Sequence, residues 1–328
     1  MIGTDLNAAR YWLEAGNVVG IPTETVYGLA GNALNEEAVL TIFRVKNRPA
    51  FDPLIVHTDS LDKVHTLVRE LPPVAEQLAR TCWPGPLTLL LPKRDHVPDL
   101  TTSGLDTVAI RIPNHPLTLA LLQSLDFPLA APSANPFGYI SPTTAQHVAD
   151  QLGNQVPYIL DGGACPVGVE STIIGFDEGG QAVVYRLGGM AVEQLEAITG
   201  PLRVQTSSSN PQAQEAPQAP GMLTSHYAPR KPLTLLAYGE VSPELGTLLA
   251  GPSAGSVGAL TFSGTLPGIP VEHQLVLAPG GDVIEAARNL FAYLRRLDAL
   301  PVTHLYAQLI PDEGLGRAVN DRLRRAAA

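Results

Sequence analysis

Cations and hydroxyls recur at short spacing along the front two-thirds of this chain. The stretch FRVKNRPAFDPLIVH (Phe43 to His57) holds Arg44, Lys46, Arg48 and His57 beside the apolar run PLIV. Cations against apolar walls suit a polyphosphate or a carboxylate, because charge-assisted hydrogen bonds strengthen away from bulk water. The same positions read equally as caps of a helix dipole: Pro49 stops a helix before it and leaves Lys46 and Arg48 at or just past the C-terminus. Pro53 then starts a strand running into His57, so that the three polar heads can face one crevice.

Five further stretches carry candidate groups. In IPTETVYGLAGNA, Thr23, Thr25 and Tyr27 alternate along an extended segment, and Gly28 and Gly31 permit close backbone approach; a β-edge and turn is the plainer reading. Arg111 interrupts the apolar strand TVAIRIP and, if buried, needs an anion; alternation also allows a solvated strand face. AAPSANPFGYISPTTA places Ser133 and Asn135 after a strand and offers Ser141 as an N-cap, which makes an anion cradle or an ordinary loop. Glu170, Ser171 and Thr172 enter another strand, and Arg186 sits in the apolar run VVYRLGG. The sequence has no Gly-x-x-x-x-Gly-Lys-Ser/Thr loop, no Cys/His metal spacing and no Gly-x-Ser-x-Gly elbow. EGLGRAV, from Glu313, lacks the third glycine of a dinucleotide turn.

The elements that must position these groups alternate. NVVGI, PLIVH, PLTLLLP, TVAIRIP, PLAAPS, YILDGG, STIIGF and AVVYRL read as strands. A helix capped by Asn35 is expected over NEEAVLTIFRVKNR, and others at about 60–70, 73–82, 116–124, 143–153 and 192–199. An N-terminal helix with Thr4 as N-cap and Gly16 as its stop precedes them. The pattern predicts an α/β domain over residues 1–203 with a twisted mixed sheet and flanking helices. Residues 204–231 follow as a linker of Ser, Gln, Pro and Ala, ending in the segment GMLTSHYAPRKP, whose Met222, Leu223, His226 and Tyr227 suit docking better than a solvated tether. Strand–helix alternation over residues 232–328, including a helix from about 242, predicts a small Rossmann-like α/β domain.

The formal net charge is −10, and residues 1–203 carry 12 basic and 21 acidic groups, which argues against stable nucleic-acid binding by bulk charge. Two cysteines, Cys82 and Cys165, make no disulfide framework and fit a reducing compartment. No apolar run is long enough to span a bilayer, and a cytoplasmic protein is expected.

Taken together and in order, PTETVYGL, KNRPAFDPLIVH, WPGPLTLLL, VAIRIP, APSANPFGYISPT, GVESTII and YRLGG closely resemble the YrdC-like threonylcarbamoyl-AMP synthase family, over about the first 200 residues. PGMLTSHYAP and the C-terminal domain look like the long, two-domain form. The family's Lys-x-Arg and Ser-x-Asn signature reads here Lys46-Asn47-Arg48 and Ser133-Ala134-Asn135. The resemblance implies an enzyme that forms threonylcarbamoyl-AMP and pyrophosphate from L-threonine, bicarbonate and ATP, with Mg²⁺. A downstream transferase complex then modifies the adenosine next to the anticodon of certain tRNAs. It implies catalytic roles for Lys46, Arg48, Ser133 and Asn135, and threonine contacts from Thr25, His57, Arg111, Ala131 and Ser171. It implies ATP contacts from Arg48, Asp52, Thr107, Ser133, Ser141 and Arg186, with His226 and Tyr227 as a lid over the nucleotide. Asp52 departs from the asparagine often found in the family, and a carboxylate there is repelled by a triphosphate unless it faces the ribose or a magnesium ion. A non-catalytic RNA-binding module and carbamoyl-adenylate synthesis are the rival readings.

Overall fold

The computed structural model describes residues 1–205, 219–222, 226–239 and 256–328. Most of the expected linker, part of the docking segment and the helix expected from about 242 lie outside the described residues. The chain forms two compact units, the first of Met1–Phe137, Ser141–Pro166 and Glu170–Leu223, the second of Gly138–Ile140, Val167–Val169 and Thr224–Ala328.

The first unit is built on an eleven-stranded mixed sheet. Its strands are β1 (Ile2–Gly3), β2 (Val19–Ile21), β3 (Gly28–Asn32), β4 (Ile55–His57), β5 (Leu87–Pro92), β6 (Thr107–Arg111), β7 (Leu129–Ala130), β8 (Tyr158–Leu160), β9 (Thr172–Phe176), β10 (Ala182–Arg186) and β11 (Arg203–Val204). They lie in the order β1-β8-β2-β3-β7-β4-β6-β5-β9-β10-β11. The alternation of β6 sorts its two faces. Val108, Ile110 and Ile112 enter the main core, with Leu87, Leu89 and Leu91 of β5 and Val39, Ile42 and Phe43 of the helix Glu36–Lys46. Ala109 faces the other way, into a small cluster with Ile55, Leu90, Ile173, Ala219 and the half-buried Tyr185 and Met222. Thr107 and Arg111 share that second face by the two-residue period of a strand.

Most helices fall where the pattern puts them, at Leu61–Leu67, Pro73–Cys82, Pro116–Gln123, Ala145–Leu152 and Val192–Thr199. Two caps differ from expectation. Asp5, not Thr4, caps the first helix by accepting from Asn7 N. Thr144, not Ser141, caps Ala145–Leu152. Ser141 is fully buried and its hydroxyl donates to Glu170 Oε1 at 2.5 Å, a long-range partner that outcompetes local capping. The segment Thr23–Tyr27 is not extended either: Thr23 Oγ1 accepts from the N–H groups of Thr25 and Val26 at 3.1 and 3.2 Å, closing a hydroxyl-stabilised turn.

Among its described residues the second unit holds four parallel strands in the order β12-β15-β13-β14, where β12 is Leu233–Leu236, β13 Val257–Thr261, β14 Gln274–Val276 and β15 His304–Gln308. β13 is buried along its whole length. The helices Val283–Ala299, capped by Asp282, and Gly316–Ala326 complete its α/β architecture. Two triplets from far upstream join this unit. Ala228 N donates to Gly138 O at 2.8 Å, the Tyr139 hydroxyl donates to Asp298 Oδ2 at 2.7 Å, and Arg295 bonds Ile140 O. Gly168 passes so close to the helix Val283–Ala299 that a Cβ there would lie 2.4 Å from Arg288 Cα.

Candidate active site

The Lys-x-Arg segment is positioned by a helix end. Asn35 caps Glu36–Lys46 at one terminus, accepting from Glu37 N and Ala38 N; at the other, Asn47 turns left-handed at φ 51° and ends it. Lys46 is thereby turned inward and buried. Its Nζ donates to the carbonyls of Ser133 and Asn135 at 2.5 and 2.6 Å, which ties the Lys-x-Arg turn to the Ser-x-Asn loop. Burial, reinforced by Arg48 and opposed by Asp52, pulls the Lys46 ammonium pKa well down. Arg48 reaches Asp52 O at 3.1 Å and Pro53 O at 2.8 Å, and pairs with Asp52 Oδ2 at 2.9 Å. Asp52 is fully buried; burial pushes its carboxyl pKa up, while the charges of Arg48, Lys46 and Arg186 pull it down. Burial is the larger effect and the net shift is upward, while the contact with Arg48 sets Asp52 among the cationic groups.

A second group gathers around Arg111. The arginine is buried, which excludes the solvated-face reading. Its Nη1 donates to Thr25 Oγ1 at 2.9 Å and its Nε to Gly85 O at 3.2 Å, and its Nη2 lies 2.7 Å from Glu24 Oε2. The parallel register of β4 and β6 sets His57 directly beside it. His57 is not a third cation: burial first, and then Arg111, push its pKa down to about 3. Ala131 N donates to Ile55 O at 3.0 Å, which holds the start of the Ser-x-Asn loop against β4.

A third group is anchored by Arg186. Its Nε and Nη2 donate to Ser171 O at 3.1 and 3.0 Å, Nη2 also reaches Ser171 Oγ at 3.0 Å, and Nη1 donates to Pro220 O at 3.1 Å. Ser171 Oγ lies 2.7 Å from Thr88 Oγ1. Gly188 makes this packing possible, since a Cβ there would stand 2.3 Å from Glu170 O and 2.4 Å from Ser171 C.

The structure thus groups Lys46, Arg48, Asp52, Ser133 and Asn135, then Thr25, His57 and Arg111, then Ser171 and Arg186. Arg186 bridges the first and third through its field on Asp52, and Ser141 borders the third through Glu170. Thr107 stands apart, at the far end of β6, where it pairs with Pro92 and lines a depression with Leu90, Leu105, Gly175 and Tyr185. His226 and Tyr227 belong to the second unit. There the Tyr227 ring is buried, stacked 5.5 Å from Phe291 with Arg322 4.9 Å from its centroid. Glu24 carries a buried carboxylate that sequence reasoning passed over; an acid between two threonines in an otherwise apolar run was the available signal. The cysteines are free and buried, and burial pushes the Cys165 thiol up to about 12, so neither is poised as a nucleophile.

Residues 12–188 match the family model described as "Telomere recombination", and residues 190–328 match the one described as "Threonylcarbamoyl-AMP synthase, C-terminal domain". The threonylcarbamoyl-AMP synthase of Pyrococcus abyssi is 40% identical over 98% of this chain and 94% of its own length. That of Bacillus subtilis is 40% identical over 96% of this chain and 90% of its own. A solved structure of P. abyssi Sua5 complexed with L-threonine is similar with a TM-score of 0.90 at 40% identity, covering 98% of this chain and 94% of that one. The chain belongs to the threonylcarbamoyl-AMP synthase family, in its long, two-domain form.

Proposed function

We propose that this enzyme joins L-threonine, bicarbonate and ATP into threonylcarbamoyl-AMP and pyrophosphate in the first unit. The carrying observation is the gathering of four buried cationic side chains, Lys46, Arg48, Arg111 and Arg186, with the hydroxyls of Thr25 and Ser171, in one unit. The reaction brings a carbamate anion against an anionic α-phosphate, and fixed cations lower that repulsion and stabilise the charge that develops on pyrophosphate.

Arg111 takes the threonine carboxylate. Of its five N–H donors, the contacts to Thr25, Gly85 and Glu24 leave others to offer. Neutral His57 offers a ring nitrogen to the threonine hydroxyl, Thr25 and Ser171 border the same substrate, and Ala131 approaches through backbone. Lys46, Arg48, Ser133, Asn135, Ser141 and Arg186 surround ATP. Asp52 limits the net charge of the cationic cluster, which keeps the folded site from repelling itself before ATP arrives. Mg²⁺ would be held chiefly by the triphosphate beside these side chains and would supply further charge neutralisation. Among the described residues no group of three or more His, Cys, Asp and Glu builds a protein cage for it, which fits an ion held mainly by phosphate and water.

The product passes to a separate transferase acting on tRNA. The acidic front domain favours hand-over through a partner rather than stable RNA binding. Among the described residues no helix is long and apolar enough to cross a membrane, in keeping with a cytoplasmic setting. The test is incubation of pure protein with ATP, bicarbonate and labelled threonine. Pyrophosphate release that requires threonine supports the assignment; release that ignores threonine overturns it.

A further inference from the structure

The contact between Arg111 and Glu24 is close but incomplete. Nη2 and Oε2 are 2.7 Å apart, yet the contact does not align as a hydrogen bond. Among the described residues, Arg111 Nη2 and both Glu24 oxygens have no hydrogen-bond partner. The two side chains are only 4% and 6% exposed, so water does not satisfy them from outside. If Glu24 served only to neutralise Arg111, the expected arrangement would be two parallel N–H···O bonds across the pair. Instead, a buried donor and two buried acceptors stand side by side with their valences open, and each costs the fold until something fills it.

The ligand that fills both at once is a zwitterion. In an α-amino acid the ammonium nitrogen lies about 2.5 Å from the carboxylate carbon. A carboxylate docked on Arg111 Nη2 therefore brings its own ammonium within reach of the neighbouring carboxylate. We infer that Glu24 recognises the α-ammonium of the amino-acid substrate, so that Glu24 and Arg111 read its two charged ends as one unit. This rests on the proposed use of threonine. It adds that the pocket selects an α-amino acid over the corresponding hydroxy acid, and that Glu24 aims the nitrogen that must become the carbamate. Thr25, the next residue along, bonds Arg111 from the same turn, so a single turn positions both halves of the pair.

The test compares L-threonine with 2,3-dihydroxybutanoate, in which a hydroxyl replaces the ammonium, by titration calorimetry on the full chain. The wild-type protein is expected to prefer threonine by at least about thirtyfold, the order of one charge-assisted hydrogen bond. Glu24→Gln should cut that preference below about threefold while leaving hydroxy-acid affinity nearly unchanged; Glu24→Asp should restore part of it. Equal loss of both ligands in Glu24→Gln would show that Glu24 acts only by holding Arg111, and would overturn the inference, as would an unchanged preference. Threonine-dependent pyrophosphate release by the wild-type protein is measured alongside. Its absence with binding intact would remove the reaction and leave the recognition of the ammonium standing.

Discussion

At the scale of single residues, the site works by leaving charges buried and only partly answered. Arg111→Ala should raise KM for threonine by about ten- to a hundredfold, the value of a charge-assisted bond, and leave KM for ATP within about threefold. Initial-rate kinetics against each substrate would check this, and equal losses would move Arg111 out of the threonine subsite. His57 gives a pH signature. Its folded-state pKa of about 3 lies below the usual 6.5, so the unfolded chain takes up a proton that the folded chain refuses. Stability therefore rises with pH between those two values and is lost as pH falls through the window. At pH 5 the cost is about 2 kcal/mol. Urea unfolding at pH 8 and pH 5 should show wild type losing about that much more than His57→Gln; equal losses would mean that the imidazole is solvated.

At the scale of elements, helix bounds and strand faces were legible in the chain, while the partners that individual side chains choose were less so. Asn35 and Pro49 bracket the helix that delivers Lys46, and the period-two pattern of TVAIRIP separates Arg111 from the core-facing valine and isoleucines. Cap assignment failed at Ser141 because its partner, Glu170, is 29 residues away. Extended geometry failed at Thr23 because a hydroxyl can close a turn that alternation does not reveal. Glu24 was passed over for a related reason: its significance lies in Arg111, on a strand that only the fold brings near. The loop after β10 offers a test of element packing. Gly188→Ala would drive a methyl against Glu170 O and the Ser171 carbonyl carbon, and backbone cannot swing aside as a flexible side chain can. A loss of about 1–3 kcal/mol is expected, together with weaker ATP use as Ser171 leaves Arg186. Thermal unfolding and KM for ATP would report both; a fully stable, fully active variant would contradict the packing described.

At the scale of the whole molecule, the segment Ala219–Met222 contributes to the first unit although it follows the last strand of that sheet. Pro220 accepts from Arg186, and Ala219 and Met222 cover Ile55, Leu90, Ala109 and Ile173. A chain ending at Gln205 keeps all eleven strands yet loses this cover. It should remain folded by circular dichroism while turnover falls by at least about tenfold, since closure over a site commonly limits turnover. Near-normal turnover would show that the cover is dispensable. The second unit has an unusual genealogy of its own, since Gly138–Ile140 and Val167–Val169 are written between stretches that build the first unit. A hybrid made by one crossover in the linker between two parental sequences would pair one parent's rear sheet with the other's triplets. Arg295 would then meet a foreign residue at 140, and the helix bearing Arg288 a foreign one at 168. Breeding such hybrids calls for five splice points rather than one, because the second unit has to be inherited as three fragments.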